Sequence, residues 1–148
     1  MTIKSINQWH QAARPNPTPE NFNKQFAAHL EEILEMFEEL QFENEQASQG
    51  AEDMEFYHEL NGMMELIKDG TVNVRILHRG PFLDALADQI VTAVGVGHCA
   101  GMDVPQACIR VDESNYSKFK DGQPLFNDQG KIIKNLETYV KPDLSGLF

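Results

Sequence analysis

The chain has 148 residues, enough for one domain with a real core, and 41% of them are apolar, which excludes wholesale disorder. Its formal net charge of −11 argues against general binding to a nucleic-acid polymer. That charge is unevenly spread: residues 25–67 hold twelve Asp and Glu and no Lys or Arg, whereas six of the twelve Lys and Arg follow position 109. Such a division suits a molecule that holds a metal with its acidic half and a polyanion with its basic tail.

Residues 1–9 lack the apolar stretch of a signal peptide, so a cytoplasmic location is expected. Ile3, Ile6 and Trp9 mark one short segment, followed by the loop Arg14-Pro15-Asn16-Pro17. Thr18-Pro19-Glu20 reads as a helix start, with a hydroxyl cap, a proline in the first turn and an acid at the positive end of the dipole. Phe22, Phe26, Leu30, Ile33, Phe37 and Leu40 recur at steps of four and three. This spacing predicts a helix from about residue 19 to the mid-40s, broken by residues 46–50 (QASQG). A second helix is expected over about 52–68, on Met54, Tyr57, Leu60, Met64 and Ile67, with Gly70 ending it. Residues 71–77 (TVNVRIL) fit either a short strand or a helical continuation.

Residues 82–100 (FLDALADQIVTAVGVGHCA) are apolar on every side and predict a buried helix, begun by Gly80-Pro81 and ended by Gly101. Its length approaches that of a membrane span, but Asp84 and Asp88 argue against one. Asp103-Val-Pro-Gln106 has the form of a capping box for a further helix reaching about Lys118. Residues 127–130 read as a turn between two extended segments, a small hairpin. Cys99 and Cys108, in apolar surroundings and without ligand spacing, are expected to be buried free thiols. The expected fold is all-α: a single domain over 1–148, built as a four-helix-type bundle with an N-terminal segment (1–18) and a C-terminal hairpin or extended tail (119–148).

Two acidic patterns carry chemistry. Asp84 and Asp88 are four residues apart, hence on one side of their helix, with no Lys or Arg inside residues 82–100. Buried there, their charges would cost several kcal/mol as an order of magnitude unless a cation neutralised them. Glu31, Glu32 and Glu35, with Glu38 and Glu39, fall on the side of the first long helix away from its apolar stripe. By itself that is a solvated face; set against a second acidic helix, it is how a bundle builds a site for Mg²⁺. Asn115 and Lys118, one turn apart, present an amide and an ammonium to phosphate oxygens.

Several segments, in order, resemble the all-α nucleoside triphosphate pyrophosphatases, the MazG and phosphoribosyl-ATP pyrophosphohydrolase-like group. They are Trp9-His10, Glu31-Glu32-x-x-Glu35, Asp84-Ala-Leu-Ala-Asp88 with Gly95, and Gly101-Met-Asp103. Further on come Val111-Asp-Glu-Ser-Asn-Tyr-Ser-Lys118-Phe119, Asp121-Gly-x-Pro, Asp128-x-Gly-Lys131 and Lys141-Pro-Asp-Leu144. The resemblance is weakest over residues 50–80. It implies Mg²⁺-dependent hydrolysis of a nucleoside triphosphate to monophosphate and pyrophosphate, with Mn²⁺ able to substitute. It implies Glu32, Glu35, Asp84 and Asp88 as metal ligands, with Glu31 and Glu32 catalytic and Glu31 assisting a second metal or the attacking water. Arg110 and Lys131 would join Asn115 and Lys118 at the phosphates. Ala85 departs from the family's common E-x-x-D, and Asp84 stands in for the missing glutamate. The family assembles as dimers or dimers of dimers, and the all-round apolar helix independently calls for a homodimer or homotetramer. The rivals are a non-catalytic helical interaction module keeping the scaffold, for which Ala85 is the best argument, and an acidic DNA mimic. A mimic has no use for aspartates in an apolar helix or for a basic tail.

Overall fold

The computed structural model describes residues 3–43, 48–128 and 130–148. They are mostly helical: α1 (Ile3–Ala13), α2 (Pro19–Glu38), α3 (Glu55–Lys68), α4 (Arg79–Cys99) and α5 (Val104–Ser117). Between α2 and α3 lie two short strands, β1 (Gln41–Glu43) and β2 (Ser48–Gly50), and a single 3₁₀ turn, Ala51–Asp53. No described helix is long and apolar enough to cross a membrane. The chain divides into two compact units, one formed by Pro17–Arg75 and the other by Met1–Asn16 with Ile76–Phe148.

In the first unit, α2 begins where the sequence places it. The Thr18 hydroxyl accepts from Asn21 N and the Asn21 side chain accepts from Thr18 N, so two otherwise orphaned amides at the helix start are satisfied. The helix ends at Glu38, earlier than the periodicity suggests. Its last turn carries no basic residue, and Glu38 and Glu39 sit at the negative end of the dipole, where further acids are unfavourable. The chain instead turns into β1, whose Phe42 pairs with Gln49 of β2. Phe37, Phe42 and Phe56 form an aromatic cluster with ring centres 5.2–6.4 Å apart, which closes the corner. Of the expected break at 46–50, residues 46 and 47 lie outside the described residues.

Helix α3 returns antiparallel along α2. The Tyr57 hydroxyl donates to the Glu38 carboxylate at one end, and Val74 N donates to Asn23 Oδ1 (3.0 Å) near the other. Ala27 and Leu34 of α2 and Met64 and Ile67 of α3 make the core, flanked by Phe26, Leu30, Tyr57 and Leu60, so both apolar stripes read from the sequence are in place. Residues 71–75 are neither strand nor helix. Val72 and Val74 alternate onto the core from an irregular segment, with no strand paired to it among the described residues.

In the second unit, Asp103 caps α5 by accepting from Gln106 N (3.0 Å), and Gly101, at φ +74°, reverses the chain between α4 and α5. The two helices meet closely at Gly97: a Cβ there would stand 2.1 Å from Val104 Cγ2. Helix α1, expected only as a short segment, lies along α5. Ser5 Oγ donates to the buried Asp112 carboxylate (2.5 Å), Tyr116 Oη donates to Ser5 O (3.0 Å), and Trp9 stacks on Phe119. Residues 112, 116 and 119 therefore form the stripe of α5 and its following turn that faces α1. The expected turn at 127–130 is present, with Gly130 N donating to Asn127 O and a bridge between Phe126 and Ile132; residue 129 lies outside the described residues. The end of the chain runs back along α5, from Val140 N on Ser117 Oγ (2.8 Å) to the Leu147 carbonyl, which accepts from Asp103 N (2.8 Å).

The largest correction concerns α4. It is a helix over nearly the expected residues, but it is not buried. Leu83, Val91 and Val96 are 69%, 67% and 66% exposed, and Gly97 is its one buried residue. An all-round apolar sequence says only that no side needs water. Burial depends on what packs against the helix, and within its own unit the close approach on α4 is that of Gly97 to Val104. Cys99 and Cys108 are free as expected but exposed, not buried.

Candidate functional site

On α2, Glu32 and Glu35 are exposed, as their place opposite the stripe requires, and Glu31 is half-buried. Lys68 Nζ lies 3.5 Å from Glu31 Oε1. Lys68 is the first cation after the acidic run and sits in the last turn of α3, where its charge also suits the helix dipole. Sequence reasoning missed this pairing, because it joins residues on different helices. The one available signal was that Lys68 ends the stretch without cations.

On α4, Asp84 and Asp88 are both exposed, contrary to the expectation of a dry site. Asp88 also serves the helix through its carbonyl, which accepts from Thr92 Oγ1 (2.8 Å). Among the described residues, Glu32, Glu35, Asp84 and Asp88 have no ion-pair partner. Each helix by itself offers two carboxylates about one turn apart, oxygen donors of the kind a hard divalent cation takes together with waters. Among the described residues, no group of three Asp, Glu, His or Cys side chains is gathered to hold a metal. The α2 acids belong to the unit Pro17–Arg75 and the α4 acids to the other.

At the end of α5, Lys118 Nζ donates to Asn115 Oδ1 at 2.7 Å, so the structure brings the expected amide and ammonium together. Arg110 is occupied differently. Its Nη1 donates to the carbonyls of Asp143 (2.6 Å) and Ser145 (3.1 Å), fastening the returning tail to α5. The cleft beside it, about 560 Å³, is lined by Glu113 and Asp143 as well as by Arg110 and Lys141, a balance of signs that does not favour a polyanion. Lys131 is exposed just after the 127–130 turn, its backbone N–H donating to Asn127 Oδ1 (2.8 Å). That turn is held by Arg14, whose Nη2 donates to Gly130 O (2.6 Å) and whose guanidinium lies 5.4 Å from the Phe126 ring centre. Nothing local to residue 14 marks this contact.

His10 packs edge-on against Trp9, 4.9 Å between ring centres. Burial first, and the Arg14 charge second, hold its pKa below the ordinary 6.5. The unfolded chain therefore takes up the proton more readily than the folded one. The corresponding stability is complete above about pH 6.5 and is lost as pH falls from there through the folded value. The melting temperature of the wild type should drop on acidification through this window by more than that of His10→Gln, as read by calorimetry. Parallel curves would remove His10 from the pH response.

Comparison of the chain with family models, with curated proteins and with solved structures gives no match.

Proposed function

We propose that this protein is a Mg²⁺-dependent pyrophosphohydrolase that converts a nucleoside triphosphate to the monophosphate and pyrophosphate. The observation that carries the reading is the set of four exposed carboxylates, Glu32 and Glu35 on α2 and Asp84 and Asp88 on α4, without counter-ions among the described residues. The ordered resemblance to the all-α pyrophosphatases and the Asn115–Lys118 pair support it. Phosphoanhydride cleavage asks a protein mainly to position groups and to stabilise charge. In this reading Lys118 neutralises a phosphate oxygen and Asn115 keeps its ammonium aimed. Glu31, with Lys68 beside it, would orient the attacking water, and Glu32, Glu35, Asp84 and Asp88, the ligands the resemblance implies, would hold the cation. When bound, Mg²⁺ supplies charge neutralisation to the phosphates.

The same reading makes the protein an even-numbered homo-oligomer, in which a second copy covers α4. Its exposed Leu83, Ile90, Val91, Val94 and Val96 are the support. The alternative, a non-catalytic helical interaction module, draws on the Lys68–Glu31 pair, which already neutralises one of the acids.

The test is a panel of common and modified ribo- and deoxyribonucleoside triphosphates with Mg²⁺ or Mn²⁺, scored for pyrophosphate release. At least one should be cleaved, with EDTA abolishing the activity, and sedimentation should show a dimer or tetramer. Inactivity across the panel would select the interaction module, and an active monomer would remove the oligomer from the reading.

A further inference from the structure

We infer that Trp9 of α1 is a positioning residue for the phosphate-binding turn of α5, and that its indole reports a phosphate arriving there. The inference rests on the role proposed above for Asn115 and Lys118.

The last carbonyls of a helix lack partners within the helix, and its last turn frays unless something else holds it. In α5 that turn is gripped from outside by two side chains, Thr138, whose Oγ1 donates to the Ser117 carbonyl (2.7 Å), and Trp9. Trp9 Nε1 donates to the Asn115 carbonyl (3.1 Å), the same oxygen that accepts the N–H of Lys118 (3.2 Å). The indole also stacks on Phe119, with ring centres 5.6 Å apart and planes 22° apart. One ring therefore holds the residue that orients the ammonium and the residue that follows the ammonium. The Lys118 side chain, in turn, is held on Asn115 Oδ1 at 2.7 Å. Ser5 on Asp112 and Tyr116 on Ser5 fix α1 one turn before Trp9, so the docking of the helix does not depend on Trp9.

A turn held in this way presents Lys118 already ordered, and the cost of ordering it is not charged to the ligand. Losing the indole N–H should weaken phosphate binding and leave the chemical step alone. The chain has a single Trp, so its fluorescence reads this position and no other.

The experiment uses the full chain and inorganic pyrophosphate, with Mg²⁺. In the wild type, indole emission should change saturably as pyrophosphate is added. Lys118→Ala should lose that change while Mg²⁺ binding, followed separately by calorimetry, stays nearly intact. Trp9→Phe keeps a ring on Phe119 but lacks the N–H. It should bind pyrophosphate roughly threefold to tenfold more weakly by calorimetry, the scale of one neutral hydrogen bond, with KM raised and kcat nearly unchanged. Tyr116→Phe removes only the hydroxyl that holds Ser5 O, leaves the hydrogen bonds of Asn115 and Lys118 in place, and should keep wild-type affinity.

Unchanged emission at saturating pyrophosphate overturns the inference, whether or not the Trp9 variant folds. Wild-type affinity in Trp9→Phe, or an equal loss in Tyr116→Phe, also overturns it. Pyrophosphate binding that behaves as expected in a chain that cleaves no nucleotide would uphold the role of Trp9 and remove only the proposed turnover. No binding of pyrophosphate to the wild type would remove the inference while leaving triphosphate cleavage to be decided by the nucleotide panel.

Discussion

Asp88→Asn and Glu35→Gln, made separately, should each reduce metal-dependent pyrophosphate release by at least about 100-fold, with little change in the fold. Each amide keeps the size of the carboxylate and removes one of the oxygen charges that a hard cation requires. Both positions are exposed, Glu35 on α2 and Asp88 on α4. Read from the sequence alone, an amide at 88 would stabilise the metal-free protein by relieving repulsion between buried acids. The exposure of Asp84 and Asp88 removes that argument, because water screens charges that are not dry. The expected change in stability is therefore within about 0.5 kcal/mol, as for other surface substitutions. Chemical denaturation and a Mg²⁺ titration of each variant decide the matter. Full activity in either variant, or a wild-type rise in melting temperature on adding Mg²⁺, would take that residue out of the metal site.

Leu34→Ala should destabilise the unit Pro17–Arg75 by about 3 kcal/mol. Leu34 is 3% exposed and packs with Ala27, Met64 and Ile67 between α2 and α3, where a cavity has little room to collapse. A unit this small has of order 3–9 kcal/mol of stability in total, so the variant should lose between about a third and all of it and open there far more often than the wild type. Glu31, Glu32 and Glu35 would lose their helix with it, and hydrolysis should fall in parallel. Hydrogen exchange on α2 and α3 measures this directly. The paired control is Leu83→Ala on α4, chemically the same change at a side chain 69% exposed. In an isolated chain it should cost almost nothing. A loss above about 1 kcal/mol that grows with protein concentration would instead mean that a second copy covers Leu83.

The contrast between those two leucines marks the boundary of what sequence reasoning reached. Caps and periodicities are interactions between near neighbours, and they were legible. Thr18 and Asp103 start α2 and α5, Gly101 turns the chain after α4, and the stripes from Phe26 to Ile67 meet in one core. The alternation in residues 71–77 was legible too, but it became neither strand nor helix, since a strand needs a partner that no local pattern supplies. Of the acids singled out on α2, Glu32 and Glu35 came out exposed as the stripe required, whereas Glu31 is half-buried beside Lys68.

What only the tertiary structure decided is which surfaces meet. Apolar character made α4 a helix indifferent to water on every side, yet burial depends on what packs against it, and within this chain Leu83, Val91 and Val96 stay exposed. Lys68 on Glu31, Trp9 on Asn115 and Arg14 on Gly130 join residues 37, 106 and 116 positions apart, and no periodicity encodes such distances. By itself the sequence determined the helices, their caps and the chemistry each can offer. The tertiary structure decided which of those groups are neutralised, which are held in place and which stand open, because charge pairing and burial are properties of surfaces brought together from distant parts of the chain.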